Sequence, residues 1–223
     1  MSVSVREVSN VSDADLDKYT KLLAEAFHYQ FFGGALGNDR SLQEPMIRAH
    51  IAAALVPGEG EVHVAELPDV GVVGVAVWFG PGQKFLVTDA QRNAGWNQLM
   101  ERLPDQYRDW WSKFLADYDT LVEKSLGGAE VKLGGYHLQL IGVAPEHQRK
   151  GVATALIKHA EAKAHTKRVP TLLETVGPTN VAIYKALKFE VAGSGPLAAP
   201  PPAQGSFEMF VFIKHTESDE YAG

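Results

Sequence analysis

Residues 142–156 read GVAPEHQRKGVATAL, and no other stretch restricts the fold as tightly. A run with strand character, GGYHLQLIGV over 134–143, enters a run with helix character, about 150–166, which buries Leu156, Ile157, Ala160 and Ala164. Pro145 has no N–H to offer a neighbouring strand and helps end the first run. Gly151 and Ala153 then leave the main chain bare beside Arg149 and Lys150, with Gln148 at the rim and Thr154 as a side-chain donor. The first turn of a helix carries amide N–H groups without intrahelical partners and a partial positive charge. Basic side chains there oppose the dipole at about 0.3–1 kcal/mol each, and a bound anion removes the conflict. An ordinary turn with solvated basic residues is the competing reading. The spacing matches neither the phosphate loop G-x-x-x-x-G-K-[ST] nor the dinucleotide fingerprint G-x-G-x-x-G, which counts against nucleotide hydrolysis and hydride transfer.

Strand and helix patterns alternate on both sides of this junction. VSVREV (3–8) alternates as a strand, and a capping box at Ser12 and Asp15 opens a helix over 13–30 through Leu16, Tyr19, Leu23, Phe27 and Phe31. A shorter helix over 41–55 ends before Pro57-Gly58, and 61–67 with 71–79 form a hairpin. Residues 83–130 hold two or three helices with Trp96, Trp110, Trp111, Phe114 and Tyr118, ending at Gly127-Gly128. In the 134–143 strand, Leu138 and Leu140 share one face, and His137, Gln139 and Ile141 the other. TLLETV (171–176) is a further strand, TNVAIYKALKF a short helix leading into FEVAG, 193–206 a Pro/Gly-rich loop, and FEMFVFI a closing strand. The expected organisation is one domain over 1–223, without internal repeats.

The 223 residues suffice for one sizeable core. No apolar run spans a bilayer and MSVSVREVSN lacks signal-peptide character, so the expected location is cytoplasmic, without membrane association. Absence of cysteine excludes disulfides, thiolate metal sites and a cysteine nucleophile. A net charge of -6 without long single-sign runs argues against nucleic-acid binding.

LQLIGVAPEHQRKGVATALI resembles the acetyl-CoA-binding core of the GNAT superfamily of N-acetyltransferases, through Gln148-x-x-Gly151-x-Ala153 after a strand ending in hydrophobic-x-Val-x-Pro. NVAIYKALKFE, Asn180 to Glu190, is similar to the family's N-x-x-x-Y-x-x-L-G-F segment, with Lys188 in place of glycine. The resemblance is best over 135–192. It implies an α/β (α+β) fold: a mixed, mostly antiparallel sheet of six or seven strands, splayed between the fourth and fifth, flanked by helices, with 83–130 inserted between the third and fourth. It also implies acetyl-CoA as cosubstrate, its diphosphate on the amides from Arg149 through Lys150, Gly151, Val152 and Ala153 to Thr154. Ile141, Gly142 and Val143 would carry the pantetheine arm, with Asn180 near the thioester.

The expected activity is direct acetyl transfer, within a ternary complex, to the primary amine of a small molecule. A protein or peptide acetyltransferase and a noncatalytic acyl-CoA sensor are the alternatives. The Val143 N–H is placed to stabilise the oxyanion. Tyr184 matches the family's proton donor, since a phenol of pKa about 10 can protonate a thiolate of about 8.5. Two candidates stand for the base: Glu174, late in TLLETV, and His137 in the preceding strand. Phe31, Phe32, Trp78 and Gln139 are the candidate acceptor contacts. His28, His159 and His165 read as helix-surface residues, and no metal is expected. Monomer and homodimer are both open.

Overall fold

The computed structural model describes residues 3–216. Seven strands form one sheet in the order β1-β2-β3-β4-β5-β7-β6: β1 Ser4–Val8, β2 Glu61–Leu67, β3 Gly71–Phe79, β4 Tyr136–Val143, β5 Thr171–Val176, β6 Glu190–Ala198 and β7 Ser206–Lys214. Every neighbouring pair is antiparallel except β4 and β5, which run parallel. Helices α1 (Asp13–Ala26) and α2 (Gln43–Ala54) cover one face, packing Leu23, Ile47 and Ile51 against Val62, Val64, Val75 and Val77. Helix α7 (Val152–Lys167) covers the other, where Leu156, Ile157, Ala160 and Ala164 meet Ala65, Val73, Trp78 and Leu138.

The sheet forks at β4. Its pairing with β5 stops at Leu138↔Leu173. On the other side, Val77 faces Leu140 while Trp78 faces Leu138, so Gln139 is an extra residue in the β3–β4 ladder. Such a bulge bends the strand carrying it and breaks the two-residue alternation. The expectation that Leu138 and Leu140 share a face therefore fails: Leu138 packs under α7 and Leu140 under α1. Beyond the bulge, Ile141–Val143 pair with β3 alone. Gly142 lets α1 lie directly on this segment, because a Cβ there would sit 2.6 Å from Leu23 Cδ2.

The inserted layer comprises α3 (Asp89–Gln91), a π turn, α4 (Asn97–Glu101), α5 (Asp105–Leu126) and α6 (Ala129–Gly134). In α5, Tyr107, Trp110, Trp111, Phe114 and Val122 keep helical spacing and are buried. Gly127, at φ 85, ends α5 in the left-handed conformation that glycine adopts freely.

Two expected boundaries shift. The 13–30 helix stops at Ala26, because His28 and Tyr29 adopt positive φ and Tyr29 N–H closes on Ala24 C=O at 2.7 Å. The 193–206 loop shrinks, since β6 continues to Ala198 and β7 starts at Ser206. Pro196 is tolerated there because β6 is an edge strand. Gly193 and Gly195 admit α5, as Cβ atoms there would meet Ser125 Cβ at 2.7 Å and Leu121 Cδ1 at 2.8 Å. Strand β7 lies between β5 and β6, so both its edges are paired within the sheet. Helix α8 (Pro178–Ala186) joins β5 to β6.

Candidate active site

The fork opens into a cavity of about 1060 Å³ that extends from the start of α7 to the aromatic face of α5. At the α7 end, Arg149 and Gly151 both have positive φ, 59° and 82°. The first intrahelical bond runs from Ala155 N–H to Gly151 C=O at 2.9 Å, so the amides of Val152, Ala153 and Thr154 precede the helical ladder. The first turn carries no acidic residue, and a Cβ at Gly151 would meet nothing within 4 Å. Space, bare amides and the Arg149 guanidinium in the lining suit a diphosphate. Gln148 Nε2 donates to Val143 C=O at 3.2 Å and ties the strand end to the turn.

The middle of the cavity is lined by Gln139, Ile141, Gly142, Val143 and, across the fork, Asn180 and Tyr184 of α8. Asn180 Nδ2 donates to Val176 C=O at 3.2 Å. The Tyr184 ring packs edge-on against Phe189 at 5.9 Å, and burial pushes its phenol up to about 12. At that pKa the hydroxyl keeps its proton more firmly than an ordinary phenol.

At the apex of the fork, His137 and Glu174 stand together. His137 precedes the last β4 residue paired to β5, and Glu174 is the first β5 residue beyond that pairing. His137 Nε2 and Glu174 Oε2 are 2.7 Å apart. Tyr118 Oη donates to the same Oε2 at 2.7 Å, and Lys132 Nζ donates to Tyr118 Oη at 2.5 Å. Burial alone would raise the Glu174 pKa, but His137, Lys132 and the hydroxyl of Tyr118 outweigh it and bring it to about 2. Burial lowers His137 despite the carboxylate, raises Tyr118 well above the phenol range, and lowers Lys132. Glu174 is thus an anion, so His137 Nε2 carries the donated proton and the imidazole lone pair lies on Nδ1. Glu174 Oε1 is buried without a hydrogen-bond partner; Lys132 Nζ is 3.7 Å away.

The two base candidates from the sequence therefore form one pair, and the inserted helices complete it. Tyr118 and Lys132 escaped sequence reasoning. Tyr118 continues the apolar stripe of α5 four residues after Phe114, where its hydroxyl was the available signal; Lys132 gave none.

The far end is aromatic. Phe31 and Phe32 reach it because the chain leaves α1 through left-handed residues. Phe32 packs on Trp111 at 5.0 Å and Phe114 at 5.6 Å. Two expected contacts are elsewhere. Trp78 is fully buried beneath α7, because its register opposite Leu138 turns it away from the cavity. Lys150 Nζ turns back to Glu146 C=O at 2.7 Å and lies outside the lining. Away from the cavity, Glu7, Glu61 and His63 cluster closely enough to ligate a cation, but Lys163 Nζ already sits 2.6 Å from both carboxylates.

A family model described as an acetyltransferase (GNAT) domain matches residues 106–191. A Corynebacterium glutamicum structure described as histone acetyltransferase HPA2 and related acetyltransferase is 20% identical, with a TM-score of 0.53 over 96% of this chain and 97% of that one. The Drosophila melanogaster polyamine N-acetyltransferase, described as forming N-acetylagmatine, is 12% identical with a TM-score of 0.56, covering 96% of this chain and 100% of that one. The Escherichia coli ribosomal-protein-S18-alanine N-acetyltransferase is 11% identical with a TM-score of 0.53, covering 100% and 99%. At these identities the structures share the fold.

Proposed function

We propose that the chain is an N-acetyltransferase of the GNAT superfamily, on the strength of the family model that matches residues 106–191, and that it moves an acetyl group from acetyl-CoA directly to the primary amine of a small molecule. One observation carries the reading: a single cavity joins the amide cradle at α7 to the buried His137–Glu174 pair.

Acetyl-CoA supplies the activated acetyl group as a thioester. Arg149 to Thr154 would hold its diphosphate, and the main chain of Ile141 and Val143, free of β5, would hold its arm. Glu174 stays ionised and fixes the imidazole with Nδ1 open to accept the proton of the amine. A protonated His137 is then compensated by the adjacent carboxylate, as in other base–orienter pairs. Tyr118 and Lys132 keep Glu174 in place. The Tyr184 hydroxyl, at about 12, serves as a hydrogen-bond donor beside the departing sulfur. The aromatic layer over the far end excludes water and suits a small acceptor better than an extended peptide.

Thiol release measured over a panel of amines, with an amino-terminal peptide included, tests the reading. Release with a small amine and none with the peptide is expected; no release with any amine, despite acetyl-CoA binding, would make the protein a sensor. Gly151→Val should raise the acetyl-CoA KM at least about tenfold, since the residue sits at φ 82, which a β-branched residue strains against, and its side chain would fill the open space left for the diphosphate. An unchanged KM would remove the cradle from the account.

A further inference from the structure

The charged groups of the cavity divide unevenly. Among the described residues its lining holds two carboxylates, Asp119 and Glu174, and three lysine or arginine cations, Lys84, Lys132 and Arg149, besides His50, His137 and His147. Asp119 is taken: Lys84 Nζ lies 2.7 Å from its Oδ2. Glu174 has committed Oε2 to His137 and Tyr118, while Oε1 makes no hydrogen bond and lies 3.7 Å from Lys132 Nζ. Each carboxylate of the lining is therefore already matched by a lysine, and a second ammonium would find no unpaired negative charge there.

Around the tryptophans the acceptor end offers ring faces, with Gln30 and Gln139 as the uncharged polar side chains nearby. Both indole N–H groups of the neighbouring tryptophans are spent on the main chain, Trp110 Nε1 on Ala198 C=O and Trp111 Nε1 on Ala35 C=O, each at 3.1 Å. Trp110 stacks on Phe114 at 4.7 Å and 14°, and Phe114 on Tyr118 at 6.0 Å and 23°. This stack leads from the apolar end to the hydroxyl that touches Glu174. His50, also in the lining, donates Nδ1–H to Met46 C=O at 2.9 Å, and burial brings it to about 4, so it is neutral and supplies no charge.

From this distribution we infer that the acyl acceptor is a monoamine carried on a flat apolar body, an arylalkylamine in chemical class. Its single nitrogen reaches His137, and its ring lies along the Trp110–Phe114–Tyr118 stack. A diamine or polyamine would place a second ammonium among ring faces and the cations Lys84 and Lys132. Attraction to a ring face recovers only part of what desolvating an unpaired ammonium loses. A peptide would leave its amide groups without partners in the same place.

The inference rests on the acetyltransferase reading, and the experiment separates the two. Thiol release is measured with 2-phenylethylamine, agmatine and spermidine at one pH. The expected kcat/KM for 2-phenylethylamine exceeds that of either polycation at least tenfold. Equal or better turnover of agmatine or spermidine overturns the substrate class and leaves the acetyltransferase reading standing. Phe207→Glu, which puts a carboxylate into the half-buried wall, should raise the agmatine-to-phenylethylamine ratio at least tenfold; an unmoved ratio also overturns the class. If no amine releases thiol, the transfer reading falls, and tryptophan fluorescence with coenzyme A present decides the class alone. Saturable quenching by 2-phenylethylamine and none by spermidine supports it, and the reverse overturns it.

Discussion

Tyr118 shows how one hydroxyl can organise a site. It accepts from Lys132 and donates to Glu174, so it keeps a buried cation and a buried anion within reach without full contact. Removing such a bridge leaves both charges poorly paired, which is costly in a buried setting. Tyr118→Phe should lower kcat about tenfold or more while acetyl-CoA KM stays near its original value; steady-state kinetics with varied donor checks this. Buried titratable groups also set the response to acid. His50 drops from 6.5 to about 4, and His137 shifts in the same direction. The unfolded chain binds these protons first, so the stability they confer is complete above about 6.5 and is lost as the pH falls toward 4. Glu174 and Glu61 lie at about 2 against an ordinary 4.5, so their contribution is lost between about 4.5 and 2. Melting temperature should fall from pH 6.5 downward and more steeply below 4.5, with His50→Gln flattening the upper part. A constant Tm from 6.5 to 4.5 would contradict the burial of these rings.

At the scale of elements, the fork depends on two close approaches that only glycine permits. Gly142 brings α1 onto β4, and Gly193 brings α5 onto β6. A methyl group at Gly142 would stand 2.6 Å from Leu23 Cδ2 and 3.0 Å from Ala26 Cβ. Gly142→Ala should therefore cost about 1–3 kcal/mol, as overpacked cores do, in urea melts. It should also raise acetyl-CoA KM, because the displaced segment is the part of β4 free of β5. A variant as stable as the parent would show that α1 moves away freely.

For the whole molecule, the inserted layer is continuous with the sheet. Its tryptophans pack with Ala35, Leu36 and Met46 from the first third of the chain and with Leu197 and Met209 from β6 and β7. Layer and sheet should unfold together. Trp96, Trp110 and Trp111 report the layer and Trp78 the sheet, so fluorescence and far-ultraviolet circular dichroism should give one coincident urea transition. A fluorescence change ahead of the circular dichroism would make the layer a separate unit. This continuity also explains how an insertion can complete the buried His137–Glu174 pair: α5 is held on both sides of the fork.

Much of this was legible in the sequence. Period-two and period-3.6 patterns fixed the hairpin at 61–67 and 71–79 and the strand TLLETV to the residue, because local sterics and burial demand those repeats. The bare glycine beside basic residues marked the start of α7, since helix ends carry their electrostatics wherever they lie. Tertiary structure decided the rest. The bulge at Gln139, the left-handed exit from α1 and the extension of β6 through Pro196 follow from what packs against them. The joining of His137 and Glu174 to Tyr118 and Lys132 is of the same kind. Those four side chains come from two strands and two helices between positions 118 and 174, and only the packed sheet and its covering layer bring them within hydrogen-bonding distance.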